Sequence, residues 1–247
     1  MVSETATAMQ GLVVGAGGGI GSAMAQRWSQ DPRFDAVWAV SRSADVDPGS
    51  QSSLRPLSTD QSEKSIAELA GMIVQESPRL SRIVIALGTL HGPSYGPEKS
   101  LDALQLASMQ EAYRVNCILP MLWLSALAPG LRKNPDCRIA VLSARVGSIG
   151  DNRLGGWYSY RSAKAALNMG LRSASIELAR RAKGVKLIAF HPGTVDTALS
   201  EPFQRGVPEG KLFAPDFVAG QLDRILDTHG VDGELSYLDW AGETITW

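Results

Sequence analysis

Two cysteines, three histidines and a formal net charge of −1 in 247 residues exclude several common designs at the outset. Cys117 and Cys137 fit no CxxC or zinc spacing, so neither a disulfide scaffold nor a zinc module is expected. His91, His191 and His229 are scattered, and no metal site is assigned. Lys plus Arg (24) nearly balances Asp plus Glu (25), leaving no global field to attract nucleic acid or an anionic membrane. A long uninterrupted apolar run is also missing. The most apolar stretch, Cys117–Leu131, carries Pro120, Pro129 and Gly130 and is short for a span, so it reads as a buried helix. Residues 1–10 hold no basic segment followed by an apolar one, which points away from export and toward a cytoplasmic protein with free thiols. With no repeat, low-complexity tract or linker, one domain over 1–247 is expected.

What the chain does contain is alternation. Short aliphatic runs predict strands at Leu12–Gly15, Ala36–Ser41, Leu54–Leu57, Ile83–Leu87, Ile139–Ser143, Val185–Phe190 and Leu235–Leu238. Helical periods fall between them at Gly19–Gln30, Ser62–Gln75, Leu101–Leu119, Tyr158–Arg181 and Pro215–Asp227. This predicts an α/β fold: a Rossmann-type, doubly wound, mostly parallel sheet of seven strands with helices on both faces. Ligands of such sheets sit at the carboxyl ends of the strands. Two Pro- and Gly-bearing segments, 89–100 and 194–211, follow strands on that edge and are expected to be functional loops.

Directly after the first strand comes Gly15-Ala16-Gly17-Gly18-Gly19-Ile20-Gly21, running into a helix. Glycine lets backbone approach a pyrophosphate, and the helix start directs unpaired N–H groups at the anion. Gly15, Gly17, Gly19, Ile20 and Gly21 are therefore candidate dinucleotide-binding residues. At the end of the second strand stand Ser41 and Arg42, where an acidic residue would select a ribose 2′-hydroxyl and an Arg instead offers charge-assisted bonds to a 2′-phosphate. NADP(H) is expected, with NAD(H) as the alternative; Asp45 and Asp47 are competing partners for Arg42. Tyr160 and Lys164 lie four apart in a predicted helix and so share a face. A Lys charge beside a phenol would lower its pKa from about 10 and make it a better acid/base group.

Gly15, Gly19 and Gly21 in G-x-x-x-G-x-G, Tyr160-x-x-x-Lys164 and the His191-Pro192-Gly193-Thr194-Val195-Asp196-Thr197 segment together resemble the short-chain dehydrogenase/reductase family over almost the whole chain. The stretches Ser143–Ile149 and Gly155–Arg161 are more narrowly similar to its C-factor and sniffer-like carbonyl reductases. The resemblance implies Tyr160 as acid/base, Lys164 as its partner at the nicotinamide ribose, Ser143 as donor to the substrate oxygen and Asn116 as holder of a proton-relay water. It further implies Asp60 and Gly88 on the adenosine side, with Pro192, Gly193, Val195 and Thr197 over the nicotinamide. A small carbonyl or alcohol substrate (aldehyde, ketone or quinone) follows by the same resemblance, and the apolar Cys117–Leu131 helix would suit a homodimer or homotetramer.

Three departures stand out. The Thr expected before the first Gly is Val14; the family's Asn-Asn-Ala-Gly is Ile85-Ala86-Leu87-Gly88; and counting back from Gly147 puts the oxygen-binding Ser on Ala144. A one-residue bulge is expected to turn Ser143 toward the site in its place, with Ser148 as the alternative donor. Ser143, Asp196 and His191 do not make a hydrolase, because no Gly-x-Ser-x-Gly elbow is present. Trp157, Trp240 and Trp247 suit core or subunit contacts, although Arg145, Asn152 and Trp157 lie between Ser143 and Tyr160, where a pocket would be. The competing functions are a non-catalytic NADPH-binding regulator and a non-redox isomerase or lyase.

Overall fold

The computed structural model describes residues 8–43, 53–93, 95–132 and 134–247. Asp45 and Asp47 lie outside them. Seven parallel strands form one sheet: β1 (Met9–Val14), β2 (Phe34–Ser41), β3 (Leu54–Ser58), β4 (Leu80–Ile85), β5 (Cys137–Leu142), β6 (Val185–His191) and β9 (Leu235–Asp239). Their order, β3-β2-β1-β4-β5-β6-β9, reverses direction between β1 and β4. That reversal opens a crevice at the carboxyl edge, the usual ligand site of a doubly wound sheet.

The period-two alternation of each strand feeds two cores. Leu12, Val14, Ile83, Ile85, Ile139, Val141 and Leu187 face α2 (Glu63–Glu76), α4 (Leu119–Leu131) and α5 (Tyr158–Arg181). Val13, Val84, Ala140, Ile188 and Phe190 face α1 (Gly19–Ser29) and α6 (Pro215–Thr228) on the other side. Because both faces are covered, the strands are apolar without interruption. Slipping any one of them by a residue would exchange its two sets of side chains.

The predicted helix Leu101–Leu119 is divided differently. Leu101–Ala103 is a single 3₁₀ turn, and α3 (Leu106–Tyr113) passes through a π-helical turn, Arg114–Ile118, straight into α4. Pro120 supplies the reason: it has no N–H for the Asn116 carbonyl and its ring crowds that carbonyl, so the turn widens. The continuous run Leu106–Leu131 is long and apolar enough to cross a membrane, by length and composition only. Here its Trp123, Leu124, Leu127 and Leu131 belong to the core. Segment 194–211, expected as a functional loop, carries β7 (Thr194–Val195), paired in parallel with β8 (Leu212–Phe213), and a 3₁₀ helix, Glu201–Gly206.

One polar clasp joins the two helices beneath the glycine turn. Asp223 of α6, 6% exposed, accepts from Trp28 Nε1 at 2.8 Å and from Arg27 Nε at 3.0 Å. Asp223→Ala leaves the buried indole N–H unpaired, a loss of roughly 1–3 kcal/mol. The expected result is a lower urea midpoint at unchanged m-value; an unchanged midpoint would show the clasp to be energetically silent.

Candidate functional site

The glycine turn folds back tightly on itself. Gly15 takes φ +93°, and its N–H and that of Ala16 donate to the Val40 carbonyl at 2.8 and 3.0 Å. A Cβ on Gly15 would stand 2.7 Å from the Ala86 oxygen, and one on Gly21 only 2.2 Å from the Gly15 oxygen. Neither position accepts a side chain. A Cβ on Gly19 would meet Thr197 Cγ2 at 2.5 Å, and one on Gly17 would touch Ser41 at 3.4 Å, so the cradle adjoins both the end of β2 and the 194–197 segment. Ile20 is half-buried in the first turn of α1, whose N-terminus has no side-chain cap and leaves its first amides for a ligand. Arg42 is exposed one residue beyond β2, and Ser41 is buried with its hydroxyl donating to the Ser43 carbonyl. These residues fit a phosphorylated dinucleotide. Asp60, after β3, uses its carboxylate to accept from Ser62 N at 2.8 Å, and that bond holds its pKa low.

The reactive face is on α5. Tyr160, Lys164 and Asn168 follow one another at four-residue steps along one side of the helix. Lys164 is 2% exposed; its Nζ donates to the Leu142 carbonyl at 2.7 Å and lies 5.9 Å from the Tyr160 ring centre. Asn116, fully buried in the π turn, accepts from Thr89 N at 3.0 Å and donates to the carbonyls of Thr89 and Ala112, both at 2.9 Å. Gly88 makes room where these groups converge, since a Cβ there would lie 3.4 Å from Asn116 Oδ1 and 3.9 Å from Lys164 Nζ.

Electrostatics at this pair run opposite to the expectation that Lys164 lowers Tyr160. Burial brings Lys164 down to about 7 and pushes the Tyr160 phenol up. Desolvation is the leading cause at both groups, and no attraction from Lys164 offsets it at the phenol. The phenol is therefore held protonated, as a proton donor must be.

The expected bulge at Ser143 is absent. Ser143 N bonds the Phe190 carbonyl at 2.8 Å, extending the ladder, and Ala144 is extended at φ −157°, ψ 145°. Alternation thus persists and sends Ser143 toward α5, where its buried hydroxyl donates to Asn168 Oδ1 at 2.6 Å. Tyr237 donates to the Ala144 carbonyl at 2.6 Å beside it. Ser148 is also buried, accepting from Asp151 N at 3.0 Å.

Across the crevice, Pro192 and Gly193 leave β6, with Gly193 at φ +75° under Phe213 and Trp240; Val195 is buried in β7, and Thr197 presses on Gly19. His191 just before them is half-buried, its Nδ1 has no partner among the described residues, and desolvation, followed by the Arg145 charge, lowers its pKa to about 4. Residues invisible to sequence reasoning complete the support. Glu98, 6% exposed, accepts from Ser159 N at 3.2 Å and from the Ser159 hydroxyl, while its carbonyl accepts from Trp157 N. It caps α5 from sixty-one residues away, a separation that leaves no local signal.

A seven-stranded parallel sheet, a glycine cradle at its reversal point and a Tyr/Lys pair on the crossover helix define a Rossmann-type oxidoreductase. The chain belongs to the short chain dehydrogenase family, whose model matches residues 11–207. It is 36% identical to the C-signal protein of Myxococcus xanthus over 148 residues, 60% of this chain and 84% of that one. Among solved structures, the carbonyl reductase Sniffer of D. melanogaster superposes with a TM-score of 0.83 at 19% identity, covering 97% of this chain and all of that one. An NADPH-bound carbonyl reductase from chicken fatty liver gives 0.80 at 25% identity, covering 97% and 99%.

The burial of Lys164 has a testable sign. Between its folded value of about 7 and its ordinary 10.5, the unfolded chain binds the extra proton, so burial costs stability near neutrality and the cost fades as pH rises toward 10.5. Lys164→Met is expected to shift Tm upward, relative to wild type, by several degrees more at pH 7 than at pH 10. Equal shifts at both pH values would show that the ammonium is not desolvated.

Proposed function

We propose that this protein reduces a carbonyl compound, an aldehyde, ketone or quinone, with NADPH, within one catalytic domain. The observation that carries this is the pairing of half-buried Tyr160 with buried Lys164 at the carboxyl edge, beside a cradle whose Gly15 and Gly21 accept no side chain. Gly15, Gly17, Gly19, Ile20 and Gly21 hold the pyrophosphate, Ser41 and Arg42 the 2′-phosphate, and Asp60 and Gly88 border the adenosine side. Pro192, Gly193, Val195 and Thr197 border the nicotinamide. That group, when bound, supplies the hydride. Tyr160 Oη donates its proton to the carbonyl oxygen as negative charge gathers there, and Lys164 near pKa 7 is poised to pass a proton toward the resulting phenolate. Asn116 fixes the backbone around Lys164. With Ser143 committed to Asn168, the substrate oxygen is held by Tyr160 alone. The NADPH-bound relative supports the choice of cofactor. Exposed Ile118, Met169 and Ile176 on the outer helices support a homo-oligomer.

Tyr160→Phe removes the transferable proton and little else, so turnover falls by about 10²–10⁴-fold while NADPH affinity, followed by fluorescence, is nearly unchanged. A variant retaining a tenth or more of the wild-type rate would remove Tyr160 as the acid.

Arg42→Ala tests the cofactor. A charged hydrogen bond to the 2′-phosphate contributes roughly 1.5–3 kcal/mol, so the variant loses about 10- to 150-fold in NADPH affinity and little in NADH affinity. Equal binding of the two cofactors by the wild type would refute the assignment. Ala144, with no donor where the family's serine falls, favours one second reading, an NADPH-binding regulator. That protein binds NADPH but consumes none with any carbonyl compound.

A further inference from the structure

Three aromatic side chains from three separate segments form a chain of ring contacts that starts at Tyr160, and nothing in the reduction described above uses them. Trp157, at the N-terminus of α5, stands edge-on to Tyr160 with ring centres 6.3 Å apart. Phe203, from the 3₁₀ helix in segment 194–211, packs on Trp157 at 5.4 Å. His91, from segment 89–100, meets Phe203 edge-on at 5.8 Å, and its Nε2 lies 3.1 Å from the Ala198 carbonyl, linking the two loops.

This cluster differs from an aromatic core pair. Trp28 and Phe34 stack at 5.2 Å with exposures of 0% and 5%, whereas Trp157, Phe203 and His91 are all only half-buried. Their arrangement is nonetheless enforced. Trp157 sits in the left-handed region at φ 53°, ψ 41°, a conformation that costs a bulky residue free energy and persists only where the surroundings dictate it. The surroundings here are the Glu98 carbonyl, which accepts the Trp157 N–H, and the Glu98 carboxylate, which holds the next turn through Ser159. The same 148–157 loop leaves Ile149 and Leu154 exposed at 80% and 91%. A half-covered run of ring faces leading to Tyr160, held by the Glu98 contacts at Trp157, suits a flat apolar group.

We propose that Trp157, Phe203 and His91 form a subsite for the aromatic ring of an aryl carbonyl substrate, with Trp157 setting the plane in which the adjacent carbonyl oxygen reaches Tyr160. The inference rests on the carbonyl reductase reading and narrows it to aryl aldehydes and ketones. Trp157 is the specificity-determining residue, and Glu98 is a positioning residue acting through it.

The test compares benzaldehyde with cyclohexanecarbaldehyde, which has the same ring size but no flat π face. Wild-type protein with NADPH is expected to show a KM about tenfold lower for benzaldehyde, the factor that one or two aromatic contacts supply. Trp157→Leu and Phe203→Leu should each lower the benzaldehyde-to-cyclohexanecarbaldehyde ratio of kcat/KM several-fold, and Trp157→Phe should restore most of it. Phe203→Leu, on a surface helix, decides the matter if the strained Trp157 position does not tolerate leucine. Equal KM values, or a ratio indifferent to both substitutions, overturn the subsite. If neither aldehyde is reduced, the carbonyl reductase reading fails. Calorimetric titration of the two aldehydes into protein saturated with the oxidised dinucleotide then judges the subsite by itself: tighter binding of benzaldehyde upholds it, and equal or absent binding overturns it.

Discussion

The whole site depends on burying one lysine at the carboxyl end of β5. Lys164 cannot reach water, so its Nζ must find a protein acceptor, and the Leu142 carbonyl at 2.7 Å provides it. This bond couples the rotation of α5 to the sheet. Rotating the helix to bring Tyr160 elsewhere would leave an amine and a carbonyl unpaired in a dry interior, a cost of several kcal/mol. Asn168, one turn further along, repeats the device through Ser143 and, at 3.5 Å, the Gly147 carbonyl. The reactive phenol is thereby positioned by polar contacts made one and two turns below it.

A second constraint acts at the N-terminus of the same helix. The α5 N-terminus has no capping side chain of its own, and Trp157 precedes it in a left-handed conformation. Glu98 compensates from the 89–100 segment, placing a buried carboxylate against the amide of Ser159, where the helix dipole favours negative charge. These bonds tie the 89–100 segment directly to the first turn of the helix that carries Tyr160.

Most of this architecture was legible because the signals are local. The glycine run and the Tyr160/Lys164 spacing each act over fewer than ten residues, the strand and helix periods are each read within one element, and α5 begins and ends where its periodicity predicts. The failures have equally physical causes. Pro120 fused two helices through a π turn rather than ending one, because the missing N–H is absorbed by an i→i+5 bond from Leu119 to the Arg114 carbonyl. Lys164 was read as a charge that lowers Tyr160, whereas desolvation lowers the lysine itself and raises the phenol. Glu98 and the Trp157–Phe203–His91 cluster are products of tertiary packing across tens of residues, and no window of sequence contains them.

Ser143 and Ala144 show how a single strand position shapes the chemistry. Strand alternation is not negotiable while the ladder continues, and the bond from Ser143 N to the Phe190 carbonyl continues it. Register turns Ser143 toward α5, and its hydroxyl ties β5 to α5 through Asn168. Ala144 is buried with no group to offer an oxyanion. A site with one donor in place of two stabilises developing charge less, and the difference must be met by how well the substrate is held before reaction. Rigid ring faces beside Tyr160 meet that need by fixing the carbonyl's approach. The same substitution that weakens the oxygen site therefore increases the value of the aromatic wall next to it.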